Sequence, residues 1–226
     1  MRPEYFVIHD TAGMMTNYWF VKHDVRTPEQ AVKAIQEGKA NFPGRSKGRS
    51  SILAHAFIRR EDGAIYRLVS WLQRQSATKV EKDYTPRTNI AVHVECEQAY
   101  TNNVIEEDMN KVVWTDKQLN SLADLYIEAS KAILAHYGGE PQWLNIIPHI
   151  EMDRGIKNGH RDPRIFPYNK FYDILKNKGV PIDTVKKFQH ERFWGDAPNG
   201  KPKYWLPNRD DNRTYWPPVL VGVPPK

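Results

Sequence analysis

The chain of 226 residues contains one cysteine, Cys96, so no disulfide can form within it. No apolar run approaches the roughly 18 residues that a membrane-spanning helix needs. The N-terminus shows no charged segment followed by an apolar one, so no typical secretory signal peptide is visible. With a mean hydropathy of −0.69, the chain is expected to be a globular protein that is long enough to bury a core.

The net charge of the chain excludes few classes of partner. The 33 basic residues outnumber the 27 acidic ones, which gives a net charge of +6 and an isoelectric point near 9.2. Such charge attracts polyanions, among them nucleic acids, anionic lipid surfaces and bacterial cell wall. No zinc-finger spacing, RNP signature or helix-turn-helix accompanies it, and the basic cluster at 45–49 is typical of a solvated loop. The sequence therefore predicts no nucleic-acid partner.

Hydrophobic periodicity predicts an alternation of strands and helices. Glu61-Asp62-Gly63 is a strong hairpin signal between two of the strands. Thr115 and Gln118 have the spacing of a capping box and open the longest helix. Residues 70–88 form a predicted polar connection. The expected strands are 5–8, 54–60, 64–69 and 90–96. One expected helix begins at Thr27, and two others cover about 116–137 and 168–178.

This order of elements predicts an α/β (α+β) fold, with a central mixed β-sheet flanked by helices and the longest helix across one face. We expect a domain over residues 1–185 and an irregular extension over residues 186–226. Residues 193–226 hold three tryptophans and seven prolines, a proline density that prevents regular helices and central strands. The extension is expected to pack on the domain or to bind a partner.

Histidine and carboxylate residues stand at the ends of predicted elements. His9 ends the first apolar strand, and about 140 residues later a predicted loop offers His149, His160 and Asp162. Two imidazoles and one carboxylate with a vacant fourth position are typical of a catalytic zinc site. We interpret His23, His136 and His190 as ordinary core or surface residues, and His55 as either a groove residue or a structural one.

Five segments carry a family resemblance, in the family's order. Residues 8–12 match a strand that ends in histidine, and residues 54–66 are similar to the motif S-A-H-F-x-I-x-x-D-G-x-I-Y. Residues 89–95 occupy the place of an S-I-G-I-E strand, and His149 with Asp162-Pro163 matches a closing G-H … D-P. Together they resemble the zinc-dependent N-acetylmuramoyl-L-alanine amidase family, which includes phage T7-type lysozymes and peptidoglycan recognition proteins.

The resemblance implies a chemistry. It selects His9, His149 and Asp162 as ligands of a Zn²⁺ cofactor, with peptidoglycan or a muropeptide as the substrate. The bond implied is the amide between the lactyl group of N-acetylmuramic acid and the L-alanine of the stem peptide. In such sites zinc activates water and polarises the scissile carbonyl, a neighbouring acid or base moves protons, and a cationic group stabilises the oxyanion.

The chain departs from the family pattern at several positions. His160 stands where relatives have lysine or threonine, so it is a candidate oxyanion donor or a competing ligand. The family's glutamate falls on His93, and Glu95 follows on the same strand face, so both are candidates for the base. Residues 74–77 replace a W-H-A-G segment, and three residues are inserted between His149 and Asp162.

The sequence leaves other functions and settings open. A peptidoglycan-binding module without hydrolysis is the main alternative to a wall hydrolase, and a basic nucleic-acid-associated protein has only charge in its favour. A bacteriolytic phage endolysin, a recycling enzyme and a delivered toxin are compatible settings. We expect the protein to be cytoplasmic in its producer or delivered to the periplasm or cell wall, and an immunity or delivery partner is compatible with the toxin setting.

Overall fold

The computed structural model describes most of the predicted domain. The described residues are 2–11, 33, 54–75, 77–83, 89–98, 112–153 and 162–188. Apart from residue 33, which is helical, the helix predicted to begin at Thr27 lies outside them. The basic loop at 45–49, His23, His160, His190 and the chain beyond residue 188 also lie outside the described residues. The predicted boundary at 185/186 therefore stays a prediction.

Five strands form one mixed sheet, in the order β3-β2-β4-β1-β5. The β2–β3 hairpin is antiparallel, whereas β2, β4, β1 and β5 run parallel to one another. The predicted α/β fold is confirmed, with a fifth strand that the periodicity did not predict. The strands are β1 (Tyr5–Asp10), β2 (Ala56–Ile58), β3 (Ile65–Arg67), β4 (Ala91–Cys96) and β5 (Asn145–Pro148).

The longest helix begins where the sequence predicts. The side chain of Thr115 accepts the N–H of Gln118 at 3.1 Å, but the amide of Gln118 does not return to Thr115. It donates to the carbonyls of Ile58 and Glu97 at 3.4 and 3.1 Å, which ties the helix to the sheet. Among the described residues the helices are α1 (Lys79–Asp83), α2 (Asp116–Tyr137), α3 (His149–Met152) and α4 (Tyr168–Asn177).

Two of these helices correct the sequence-based expectation. Helix α1 lies within residues 70–88, the predicted polar connection. His149 is the first residue of α3, directly after β5, and therefore does not belong to a loop. Both helices are only one turn or slightly longer, so neither leaves a detectable hydrophobic period in the sequence.

The two faces of the sheet have different neighbours. One face, with Phe6 and Ile8, packs against α2 and α4, and the ring of Phe6 meets that of Tyr126 edge-on at 5.3 Å. The other face, with Tyr5 and Val7, packs against apolar side chains of α1 and α3. Because side chains alternate along a strand, the odd-numbered residues of β1 and β4 share this second face.

The chain after α4 returns to the sheet. Phe188 donates its backbone N–H to Ile146 at 2.9 Å, and its ring lies 6.2 Å from that of Tyr5. The first residues beyond the predicted domain boundary thus pack on the second face. Within the described ranges, no helix combines the length and the apolar composition that crossing a membrane requires.

Gly63 in the β2–β3 turn gives a test of how the hairpin meets α2. Its φ is +74°, and a Cβ added there would lie 2.6 Å from the carbonyl oxygen of Lys117 and 2.8 Å from Oγ of Ser121. We expect Gly63→Ala to lower the unfolding free energy by about 2–4 kcal/mol, because left-handed strain adds to a backbone clash. Denaturant unfolding followed by circular dichroism measures this.

Gly179→Ala is the matched control for this substitution. Its φ is +85°, but a Cβ at this position would meet nothing within 4 Å. It should therefore cost only the conformational strain, about 1 kcal/mol. Equal losses for the two variants would show that the approach of the turn to α2 carries no weight.

Candidate metal centre

The site lies where three parallel strands end. His9 is the fifth residue of β1, Glu95 is the fifth of β4, and His149 follows β5 directly. The register pairs His9 with Glu95 across the β1–β4 ladder. Because the carboxyl ends of parallel strands meet at one edge of a sheet, these side chains converge there, as ligand-binding groups commonly do in α/β proteins.

The three residues predicted to bind zinc form one cluster. His9, His149 and Asp162 are all buried, and one donor atom from each lies within 4.8 Å of the others. Oδ2 of Asp162 is 2.9 Å from Nδ1 of His149 and 3.1 Å from Nδ1 of His9. A tetrahedral zinc with bonds of about 2.0 Å separates its donor atoms by about 3.3 Å. The spacing and the donor types therefore fit Zn²⁺.

His149 is held on its other side by Asp153. Nε2 of His149 lies 2.9 Å from Oδ2 of Asp153, one helical turn away. Burial alone would lower the pKa of His149, but the Asp162 and Asp153 carboxylates outweigh it and raise that pKa well above its ordinary value. An imidazole with one nitrogen on a carboxylate and the other facing the site has the arrangement of a metal-ligating histidine.

His9 is held on its other side by a second histidine. Nε2 of His9 lies 3.1 Å from Nδ1 of His93, and His93 is fully buried. Burial and the neighbouring His149 lower the pKa of His9 to about 3. Burial and His149 also lower the pKa of His93 to about 3. Both rings are therefore neutral near pH 7, which is the state in which an imidazole binds a metal.

Glu95 is the acidic side chain beside the cluster that remains partly open. Its Oε1 lies 3.9 Å from Nδ1 of His9, and its side chain is 14% exposed. Burial, followed by the charge of Asp162, raises its pKa well above the ordinary value. A carboxyl group of this kind at a site edge is suited to proton transfer. His93, the other candidate base, lies behind His9 and is 0% exposed.

A buried ion pair fixes the segment that carries Asp162. The guanidinium of Arg164 donates to Oδ1 of Asp10 at 3.0 Å, and the backbone N–H of Arg164 donates to Oδ2. Burial raises the pKa of Asp10 to about 7, against the opposing charge of Arg164. From the other side, Ile150 donates its N–H to the carbonyl of Asp162 at 2.8 Å. These bonds attach the segment to both β1 and α3.

The two remaining histidines among the described residues, His55 and His136, are a structural residue and an exposed one. His55 accepts the backbone N–H of His93 at 3.0 Å on Nδ1, and its Nε2 lies 2.9 Å from the carbonyl of Gln73. It is fully buried, so the structural interpretation applies to it rather than the groove one. His136 is exposed near the end of α2.

Sequence reasoning missed Asp153 and Glu81, which support the site. Asp153 falls four residues after His149 on a helix too short to show periodicity. A signal for Glu81 was present, because Thr78-Lys-Val-Glu81 is a capping-box pattern. The structure contains it: the Thr78 N–H donates to Oε2 of Glu81 at 3.4 Å, and the Glu81 N–H donates to Oγ1 of Thr78 at 3.3 Å.

The motif resemblance is tested by comparison with known proteins. The family model for N-acetylmuramoyl-L-alanine amidase matches residues 1–165, which is most of the chain. The chain belongs to this family. The resemblance in the motifs is thereby confirmed, and membership of the amidase family supports a peptidoglycan hydrolase activity. None of the curated protein sequences compared with the chain matches it.

Solved structures of two proteins are similar to this amidase-family chain. The endolysin of Thermus scotoductus MAT2119 bacteriophage Ph2119 is 14% identical, with a TM-score of 0.44 over 77% of this chain and 86% of that one. AmpDh3 from Pseudomonas aeruginosa is 17% identical, with a TM-score of 0.45 over 77% of this chain and 60% of that one. AmpDh3 in complex with anhydromuramic pentapeptide gives a TM-score of 0.44.

The Asp10–Arg164 pair makes a testable contribution to stability and to the site. We expect Asp10→Ala to lower the unfolding free energy by about 3–5 kcal/mol, because it leaves a buried guanidinium without its carboxylate. Since Arg164 also positions Asp162, zinc affinity should fall as well. Thermal unfolding and a zinc titration against a competing chelator measure the two effects.

Asp124→Ala is the exposed control. Asp124 pairs with Lys178 at 2.7 Å, but 56% of its side chain is exposed. Removing such a pair costs about 0–1 kcal/mol, and zinc affinity should not change. If Asp10→Ala were as mild as Asp124→Ala in both measurements, the buried pair would have no role in holding the metal centre together.

Proposed function

We propose that this protein is a zinc-dependent peptidoglycan amidase. Its reaction is hydrolysis of the amide between the lactyl group of N-acetylmuramic acid and the L-alanine of the stem peptide. The observation that carries the proposal is the convergence of two imidazole Nδ1 atoms on one oxygen of Asp162, in a chain of the amidase family. Family membership supports the reaction class, and the donor geometry supports the metal.

His9, His149 and Asp162 are the residues that would hold the metal. Two neutral donors and one carboxylate leave a dipositive ion with a net positive charge, which suits a catalytic site with an open position. When bound, zinc supplies a Lewis acid that lowers the pKa of water and polarises a carbonyl. Burial of the three residues keeps their donor atoms in place before the substrate arrives.

Among the residues that the structure describes, Glu95 is best placed to act as the base. It stands beside His9 on the partly open side, and burial raises its pKa above the ordinary value, as is common for carboxyl groups that transfer protons in catalysis. Hydrolysis breaks the C–N bond, adds hydroxyl to the lactyl carbonyl carbon and returns a proton to the alanine nitrogen. We assign proton transfer to Glu95 and, from the sequence, oxyanion stabilisation to His160.

A non-catalytic peptidoglycan-binding module is the second candidate. The observation in its favour is that His93, at the position of the family's glutamate, is fully buried and points at His9. The side chain that the family pattern places at the reacting centre is thus unavailable here. If the chain is an amidase, its catalysis therefore depends on Glu95. The experiments on His149→Ala and Glu95→Gln separate the amidase from the binding module.

If the proposed function is correct, removing a zinc ligand should abolish zinc binding and hydrolysis together. The purified wild-type chain should bind about one zinc and release L-alanine amino groups from cell-wall sacculi or soluble muropeptides. His149→Ala should lose both, because it removes one of three protein ligands. Elemental analysis gives the zinc content, and labelling of newly formed amino termini gives the cleavage.

His136→Ala is the control, since His136 is exposed on α2. It should match the wild-type chain in both measurements. Zinc binding without release of amines from several wall types would establish the binding module instead. Zinc retained at full occupancy in His149→Ala would show that the metal lies elsewhere or that the site does not need this imidazole.

Glu95→Gln tests the base separately from the metal. We expect kcat to fall by about 10²–10⁴-fold, the usual contribution of a general acid or base. Zinc content should not change, because Glu95 is not one of the three ligands. Glu61→Gln in the exposed β2–β3 turn is the matched control and should leave kcat unchanged. An unaffected kcat in Glu95→Gln would remove the role assigned to Glu95.

A further inference from the structure

Helix α1 contacts the residues behind both candidate imidazole ligands, namely His93 behind His9 and Asp153 behind His149. It is only five residues long, Lys79–Asp83, and none of its side chains is among the three candidate ligands. Glu81 on this helix is 0% exposed, which is rare for a glutamate unless it is paired. Burial raises the pKa of Glu81 to about 7, against the opposing hydrogen bonds from Thr78.

One connection runs from α1 to His9. Oε2 of Glu81 lies 2.8 Å from Nε2 of His93, and Nδ1 of His93 lies 3.1 Å from Nε2 of His9. The approach of Glu81 to the neutral ring is oblique, so His93 Nε2 makes no aligned hydrogen bond although the two atoms are in contact. The three side chains form a continuous buried path that ends at a candidate ligand.

A second connection runs from α1 to His149. The first two amides of the helix bind the carboxylate of Asp153, with Lys79 N–H on Oδ2 at 2.9 Å and Val80 N–H on Oδ1 at 3.0 Å. Oδ2 also lies 2.9 Å from Nε2 of His149. The backbone of α1 therefore fixes both oxygens of Asp153, and Oδ2 is held in contact with the imidazole.

The rings and backbone around this path are themselves fixed. His55 stacks on Trp71 at 5.6 Å and on His93 at 5.9 Å between ring centroids, so His93 cannot turn freely. Arg74 donates to the backbone carbonyl of Glu81 at 2.8 Å, which anchors the helix from outside. Side chains with so few alternative positions hold their neighbours to one orientation.

We propose that α1 is a common outer support for both imidazole ligands, with Glu81 acting through His93 on His9 and Asp153 acting on His149. An imidazole whose Nε2 carries the proton toward such a partner presents its Nδ1 lone pair to the site, and its ring cannot rotate away. Glu81 and Asp153 are positioning residues. This inference rests on the proposed zinc function and adds the residues that set metal affinity.

The first test is zinc affinity of the full chain, measured by equilibrium competition with a chromogenic chelator. Glu81→Gln and Asp153→Asn keep the size of each side chain and remove its charge. We expect each to weaken zinc binding about 10–100-fold, as losses of outer partners of metal ligands do. The visible absorption of the Co²⁺-substituted variants should also shift, because ring orientation changes the ligand field while a loss of global stability alone does not.

The second test acts on the backbone of α1. Lys79→Pro removes the N–H that binds Oδ2 of Asp153, and proline is tolerated at the first position of a helix. Lys79→Ala removes the same side chain but keeps that N–H. We expect Lys79→Pro to bind zinc several-fold more weakly than Lys79→Ala, with the same far-ultraviolet circular dichroism. This pair tests the connection through Asp153 to His149 even if a Glu81 variant fails to fold.

Glu97→Gln is the control for loss of a buried carboxylate. Glu97 is 1% exposed and accepts the N–H of Arg60. It belongs to neither of the two connections from α1, so zinc affinity should be unchanged. If the wild-type chain binds zinc and the Glu81, Asp153 and Lys79→Pro variants bind it equally well, this proposal is wrong while the proposed function stands. If the wild-type chain binds no zinc, both are wrong.

Discussion

One oxygen of Asp162 lies between two buried imidazoles, and the architecture of the site depends on this contact. A buried carboxylate is costly unless positive charge or hydrogen-bond donors surround it. Here His9 and His149 face it at 3.1 and 2.9 Å. Arg164 and the α3 backbone hold its segment from either side. The same arrangement that satisfies the carboxylate also creates a donor set for a dipositive metal.

The sheet makes this contact possible through register. Parallel pairing of β1 with β4 and β5 brings the ends of three strands to one edge, so His9, Glu95 and His149 meet although they are far apart in the chain. The opposite face supplies most of the apolar contacts, through α2 and α4. A rigid, apolar support on one face therefore fixes polar groups on the other to within hydrogen-bond distances.

The contacts behind the candidate ligands explain two departures from the family motif. His93 replaces a glutamate, and the structure places a different carboxylate, Glu81, against its far nitrogen. Residues 74–77 replace another motif and lead into α1, which carries Glu81 and binds Asp153. Two changes that look unrelated along the chain thus meet at the same layer behind the candidate ligands. The chain retains a carboxylate on the open side, Glu95.

Local pattern was enough to predict four of the five strands, the hairpin at Gly63, the helix after Thr115 and the mixed α/β fold, because these depend on neighbours within a few residues. Strand β5 was not predicted. The motifs were enough to select the three candidate ligands through the family resemblance. Helices α1 and α3 were missed, since one turn leaves no period. The sequence did not predict the outer partners of the imidazoles, nor that His93 is buried while Glu95 is partly exposed. These features depend on contacts between segments up to about 80 residues apart. Only tertiary packing decides such contacts, because a sequence does not record which side chains will share a buried space.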